Sequence, residues 1–295
     1  MLTRKDIPHL LTAGLKTIFF NAYKSVTPIY TQLTTEVSSN KSSEEYGWLG
    51  ATPELRKWID ERAPKGIKEN GFVLKNEDFE ASIEVDRNAI DDDQYGHIKT
   101  RISQMGIQAG KGYDKHLASV IEANGLCYDG QNFFDTDHPQ EDGTTQANLF
   151  TSKALTAANA ETVLTDMKNL KDETGMLKGI NPTHIVVPAN LEFTAKKLFD
   201  PTVVAVTTDP AAAVLKGALK VVVLPYLTSA TTWYVIDLSQ GVSPFIYQNR
   251  KSLEFVAMDN ADDIENFMRK KLYYGVDARF AFGLGDWMTA AKCTA

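Results

Sequence analysis

QYGHIKTRISQMGIQAGKGYDKHLASVIEAN, residues 94–124, carries the longest helical pattern in the chain. Ile98, Ile102, Met105, Ala109, Tyr113, Leu117, Val120 and Ile121 recur at spacings that place them along one apolar stripe. Asp91, Asp92 and Asp93 stand directly in front, where a capping oxygen and negative charge suit the start of a helix. Gly125 stands behind as a C-terminal stop. A helix of this length extends roughly 46 Å at 1.5 Å per residue. Gly106, Gly110 and Gly112 lie inside it, each costing about 1 kcal/mol against alanine. A helix that carries them is expected to press its backbone closely against another element.

On the N-terminal side, FEASIEV (79–85) alternates apolar and polar residues through Phe79, Ala81, Ile83 and Val85, the pattern of a half-exposed strand. Before it, residues 46–62 (YGWLGATPELRKWIDER) mix two tryptophans with many charges, and the breakers Pro64, Gly66 and Gly71 follow. This reads as an aromatic excursion away from the core. Further back, Leu11, Leu15, Ile18, Phe19 and Ala22 mark a short amphipathic helix that Pro28 ends, followed by a polar stretch from Ser38 to Glu45.

On the C-terminal side a second helix starts near Thr156, with Ala160, Val163, Leu164, Met167 and Leu170 as its stripe and Gly175 as its end. The pattern then turns to short β-rich runs at 184–188, 219–225, 233–238, 245–248 and 253–258, with one helix near Leu191 to Phe199. These runs predict an α+β lobe with its own sheet. After the acidic break Asp259–Asp263, the aromatic tail from Phe267 to Ala291 is expected to return to the first lobe.

The 295 residues are 43% hydrophobic and 23% charged, which suits a globular chain and excludes wholesale disorder. A net charge of −7 disfavours tight nucleic-acid binding by this chain, although a protein that only encloses DNA needs no such affinity. Cys127 and Cys293 form no disulfide framework and no zinc pattern, and read as free thiols of a reducing cytoplasm. Arg4 and Lys5 resemble a charged leader start, but Lys16 interrupts the apolar stretch and no cleavage site follows, so no signal peptide is expected. No apolar run approaches the roughly 20 residues of a membrane span, and no membrane partner is expected.

LCYDGQNFFDTDHP, residues 126–139, is where chemistry would concentrate, since it gathers Cys127, Asp129, Asp135, Asp137 and His138. A thiolate beside a histidine is a nucleophile pattern, and carboxylates with a histidine can hold a cation. Neither set is complete: no third orienting group or oxyanion hole is evident, and the carboxylates lack the order of a calcium loop. The competing reading is a turn-rich connector anchored by Phe133 and Phe134. Gly47 and Gly50 make no phosphate cradle, and Gly283 and Gly285 mark a bulge or close packing. His9, His97, His116 and His184 are isolated, and Arg269, Lys270 and Lys271 form a solvated basic run.

YGWLG (46–50) with Pro53, Leu55, Trp58 and Arg62, together with CYDGQNFFDTDHP (127–139), resembles the Mu-like prophage major head subunit family, often called gpT. FEASIEVDRNAIDDD (79–93), VVPANLE (186–192), FIYQNRK (245–251) and FGLGDWMTAA (282–291) are similar too, in the same order along nearly the whole chain. The resemblance implies an α+β chain of the HK97-like phage major capsid fold. Its parts would be an N-terminal arm (1–43), an extended loop (44–80), a peripheral domain (81–180) with a spine helix (94–124), an axial domain (181–258) and a return to the peripheral domain (259–295).

The function it implies is the major capsid protein of a Mu-like phage or prophage, assembling through pentamers and hexamers into an icosahedral shell around double-stranded DNA. No enzymatic activity, catalytic residue, cofactor or metal is implied. The implied partners are other copies of the chain, a separate scaffolding protein and protease, a portal protein, DNA packaged without sequence preference, and a decoration protein. The implied place is the virion, assembled in the host bacterial cytoplasm. Within the excursion, Trp48, Leu55, Trp58 and Ile59 would supply apolar contacts to neighbours, and Arg56, Lys57 and Arg62 would set register by charge. The competing assignment puts both tryptophans in this chain's own core. Two other functions stand beside the head subunit: a nanocompartment shell of the same fold holding a cargo protein, and a cysteine- or metal-dependent hydrolase centred on residues 127–138.

Overall fold

Phe79, Ala81, Ile83 and Val85 turn one way and Asp78, Glu80, Ser82 and Glu84 the other, so Glu77–Asp86 can cover a core on one face only. In the computed structural model, which describes residues 6–49, 69–88, 95–140, 143–172, 175–202, 213–260 and 263–295, this stretch is the edge of a four-stranded sheet. We number the strands β1 (Thr34–Ser38), β2 (Ser43–Leu49), β3 (Glu69–Lys75), β4 (Glu77–Asp86), β5 (His138–Pro139), β6 (Thr145–Gln146), β7 (Leu149–Phe150), β8 (His184–Val187), β9 (Lys220–Val223), β10 (Trp233–Ile236), β11 (Phe245–Met258), β12 (Lys271–Leu284) and β13 (Ala290–Cys293). The four-stranded sheet runs β1-β11-β12-β4, parallel at β1/β11 and antiparallel elsewhere.

The long helix spans Tyr95–Ala123 and lies against the inner face of that sheet. Ile98, Ile102 and Met105 are buried with Val85, Leu272, Tyr274 and Val276 in one cluster. The outer face carries exposed charge pairs such as Lys271 with Glu84 at 2.7 Å, each worth little to stability. The helix ends where Asn124 turns left-handed (φ 49°), so Asn124 does the work expected of Gly125. Its amide donates to Phe134 O at 3.0 Å and its carbonyl accepts from Phe134 N at 2.7 Å. The expected cap at Asp91–Asp93 lies outside the described residues.

The N-terminal helix, Asp6–Ser25, buries Leu15 and Phe19 against the long helix. A Cβ on Gly106 would lie 2.5 Å from Phe19 O, and one on Gly110 would lie 3.1 Å from Val26 Cβ. These two glycines therefore allow the close approach that the sequence led us to expect. Gly112 does not, because a Cβ there would meet nothing within 4 Å among the described residues. Past Pro28, Asp114 of the long helix accepts the Ile29 and Tyr30 N–H groups at 2.9 and 2.8 Å, fixing where the chain turns into β1.

The second sheet runs β7-β13-β10-β8-β9 and is packed by the helices Ala157–Lys168 and Glu192–Phe199. Trp233, Tyr234, Val235 and Ile236 are all buried, which suits a central strand covered on both faces. Two expectations about this half change. The runs 245–248 and 253–258 are one 14-residue strand, irregular near Lys251, and belong to the four-stranded sheet instead of the β-rich lobe. Their outer half alternates half-buried with exposed residues, as one solvated face requires. The tail does return to the first lobe through β12, but β13 then crosses to pair with β10 in the second sheet, and Cys293 ends there buried. The helix begun at Thr156 ends at Lys168, with Asn169 as its cap, and Gly175 instead takes the left-handed position (φ 81°) of a later turn. Among the described residues no helix is long and apolar enough to cross a membrane.

Candidate functional site

The connector 126–139 leaves the long helix and enters the second sheet, and its polar side chains are consumed by that passage. His138 is fully buried. Its Nδ1 lies 2.5 Å from Asp129 Oδ2, its Nε2 lies 3.2 Å from Asn148 Oδ1, and its ring stacks flat on Trp287 with centroids 3.8 Å apart. Both ring nitrogens are thus engaged by groups other than Cys127. The Cys127 thiol points at Gly285 O, 3.9 Å away, and burial pushes it up to about 12. It is protonated at neutral pH and cannot serve as a thiolate nucleophile.

Asp135 and Asp137 do not join that buried cluster. Asp135 is held below the usual carboxylate range, chiefly by the Thr136 N–H, while its hydrogen bond with Asp137 holds the Asp137 carboxyl above that range. Among the described residues no group of three or more His, Cys, Asp or Glu side chains is placed to hold a metal ion. Phe133 and Phe134 are both buried in the main core, edge to face at 4.8 Å, as the connector reading expected.

Three residues that the sequence did not single out complete this joint. Asn148 donates to Phe133 O, Trp287 O and Ala290 O at 2.8, 3.0 and 3.1 Å, and accepts from Asp135 N at 2.9 Å. Trp287 supplies the stacking surface, and Asp286 binds Lys178 at 2.5 Å. The WM of GDWMTAA was visible as aromatic tail, but nothing marks an isolated asparagine as a hub.

The aromatic excursion begins as a hairpin. β2 and β3 pair antiparallel from Ser43↔Lys75 to Leu49↔Glu69. The root is fixed to the four-stranded sheet by buried polar groups. Tyr46 stacks on Phe72 at 5.2 Å and donates to Gln248 Oε1 at 2.7 Å. Gln248, fully buried, donates to Asn76 Oδ1 at 2.7 Å and Leu74 O at 3.2 Å. Asn76 in turn donates to Ser39 Oγ and Lys41 O at 2.8 and 2.9 Å. A Cβ on Gly283 would lie 2.8 Å from Leu74 Cδ2, so this glycine marks close packing of the root on β12.

Of the expected contact residues, Trp48 falls on β2 opposite Asn70, five residues along the strand from Ser43. At 3.4 Å per residue that is about 17 Å out from the root. Leu55, Arg56, Lys57, Trp58, Ile59 and Arg62 lie outside the described residues. Among the described residues the hairpin is anchored at its root by buried polar groups, and no group of three or more His, Cys, Asp or Glu that could hold a metal ion lies beside it.

Comparison with known proteins gives the family of the chain. The family described as Mu-like prophage major head subunit gpT matches residues 9–154, 146–227 and 228–295. The Mu-like prophage FluMu major head subunit of Haemophilus influenzae is 28% identical over 287 residues, covering 97% of this chain and 72% of that protein. The major capsid protein of Escherichia phage Mu is 24% identical over 295 residues, covering 98% of this chain and 74% of that protein. Among solved structures, a chain from the procapsid of bacteriophage JBD30 is similar with a TM-score of 0.62 and 29% identity, covering all of this chain and 76% of that one.

Proposed function

The chain belongs to the Mu-like prophage major head subunit gpT family, and from that premise we propose the route by which it builds a head. It is a shell-forming major capsid subunit with the HK97-like fold, from a family of structural proteins and not of enzymes. Copies assemble through pentamers and hexamers into a closed icosahedral shell by heterologous contacts that close. A separate scaffolding protein and protease and a portal protein take part in assembly. Assembly takes place in the host bacterial cytoplasm, and the shell encloses double-stranded DNA without reading its sequence. The net charge of −7 supports that last point, because phosphate repels such a surface.

We assign the extended loop to residues 44–80, carried on the β2/β3 hairpin, with Trp48, Leu55, Arg56, Trp58, Ile59 and Arg62 as contact residues toward neighbouring copies. The single observation that carries the reading is the end-to-end family match. Expression of the chain alone and with a scaffolding partner, followed by sedimentation and negative-stain microscopy, tests it. Closed particles of uniform size are expected. A chain that stays monomeric with every scaffold tried, or binds duplex DNA tightly and sequence-selectively at physiological salt, would overturn it.

A further inference from the structure

The negative charge of this chain is unevenly spread, and the unevenness follows its layers. The N-terminal helix and the long helix lie side by side on the inner face of the four-stranded sheet, where Phe19 meets both Gly106 and Phe255. Residues 7–35 contain no acid, and residues 94–121 contain one, Asp114. Asp114 is buried and turned inward to the Ile29 and Tyr30 N–H groups. The cations take the other side. Lys16 and Lys24 are exposed on the N-terminal helix, and Arg101, Lys111 and Lys115 on the long one. Among the described residues none of these five pairs with a carboxylate.

The opposite face of the same lobe has the reverse balance. Asp78, Glu80, Glu84 and Asp86 are exposed along β4. Cations on that face are spent in pairs: Lys271 lies 2.7 Å from Glu84, Arg279 lies 3.3 Å from Asp78, and Lys251 pairs with Asp277. A polyanion approaching this lobe is therefore drawn to the helix layer and repelled by the sheet.

Spacing puts Arg101, Lys111 and Lys115 on the side of the long helix away from the sheet, with Gln104 and Gln108 exposed between them. From Arg101 to Lys115 this ridge runs about 21 Å at 1.5 Å per residue. Among the described residues no large apolar side chain is exposed on the long helix. A protein partner is usually anchored by apolar or aromatic groups at the centre of its contact, and the ridge offers none. Duplex DNA needs only cations in a row, since it carries one charge per about 1.7 Å of its axis.

We propose that the helix layer is the lumenal wall of the shell, and that Lys16, Lys24, Arg101, Lys111 and Lys115 hold the backbone of the enclosed duplex DNA by charge alone. The inference rests on the reading of the chain as a shell subunit, and adds which face meets the contents. Each cation releases condensed counterions from the duplex, so the contact is weak at physiological salt and has no sequence preference.

The test titrates soluble full-length subunits onto a fluorescent random-sequence duplex, from low salt upward. Five phosphate contacts at about 0.9 each predict a slope of about −4.5 for log affinity against log salt. Arg101→Gln, Lys111→Gln and Lys115→Gln together should bring the slope to about −2. Lys168→Gln, Lys171→Gln and Lys197→Gln remove the same charge from exposed sites around the second sheet, and should leave the slope at the parent value. An unchanged slope in the first triple, or an equal loss in both, would overturn the proposal. The parent supplies a second readout that needs no variant. Acetylation read by mass spectrometry should find Lys16, Lys24, Lys111 and Lys115 shielded by the duplex, and Lys168, Lys171 and Lys197 open. Shielding around the second sheet instead, or by poly-glutamate and not by duplex DNA, would overturn it. On closed particles, an amine reagent too large to cross the wall should spare the four shielded lysines, and their modification would overturn the lumenal placement. Particle yield tests the shell reading separately: a parent that closes no particles counts against that reading, while the titration still decides whether this face binds DNA.

Discussion

Asn148→Ala should be among the most damaging single changes that leave every apolar core residue in place. The side chain is buried, with 1% of its surface exposed, and serves four backbone groups. Three are carbonyl oxygens that share the two N–H bonds of its amide, a loss of about 2 kcal/mol at about 1 kcal/mol per neutral hydrogen bond. The fourth is the Asp135 N–H, which loses its acceptor at 2.9 Å and costs about 1–3 kcal/mol if left unsatisfied. His138 Nε2 also loses its neighbour, and with it the tilt that holds the ring flat on Trp287. The sum is about 4 kcal/mol, which at roughly 2–4 °C per kcal/mol in a chain of this size lowers Tm by about 10 °C. Thermal unfolding of soluble subunits, followed by circular dichroism, reads this directly. Cys127→Ala is the control, expected to cost about 1 kcal/mol or less, since it removes one long, weak S–H···O contact. An Asn148 variant within about 1 kcal/mol of the parent, or a Cys127 variant as damaged as it, would refute the view that residues 126–139 form a structural joint.

Other expectations follow from the same geometry. Gly106→Ala gains about 1 kcal/mol of helix propensity but drives a Cβ to 2.5 Å from Phe19 O, so a net loss of about 2 kcal/mol is expected in the same unfolding assay; a stabilised variant would contradict the packing. Burial holds the Asp114 carboxyl above its ordinary 3.8, against the opposing Tyr30 and Ile29 N–H groups. Because the native state binds that proton more tightly, this group's contribution is full below the unfolded value and is lost as pH rises through the raised one. Asp114→Asn keeps an acceptor for both N–H groups, so its Tm should gain on the parent's from acid to neutral pH; a constant difference would contradict this. Trp58→Ala should leave subunit unfolding near the parent's while shifting sedimentation strongly toward free capsomers, since an anchor lost from each repeated contact costs about 2 kcal/mol or more. Unfolded, insoluble subunits would place Trp58 in the core instead.

Much of the first lobe was legible because its elements are long and have one wet face. The alternation in 79–85 and the stripe from Ile98 to Ile121 each name a buried face, and both appear where the pattern puts them. Sheet membership was not legible, for a physical reason. Alternation says how many faces of a strand are buried, and it says nothing about which strand lies alongside. FIYQ opens β11 fully buried, like WYVI of β10, so the two runs read as neighbours although they belong to different sheets. The crossing of β13 was hidden in the same way, because AAKC is too short to carry any period.

The three helix glycines show how far composition alone reaches. All three read alike in the sequence, as costs that some close neighbour must justify. Coordinates separate them. Gly106 and Gly110 meet the N-terminal helix, and Gly112 meets nothing described. The His138 cluster shows the converse error. Cysteine, three aspartates and a histidine within thirteen residues suggest chemistry, yet the histidine is spent on Asp129, Asn148 and Trp287, two of them outside the motif. Polar residues that hold a backbone crossing and polar residues that bind a ligand are of the same types, and what separates them is whether their partners lie within the chain. For the 126–139 connector the partners are internal, so the segment serves the fold.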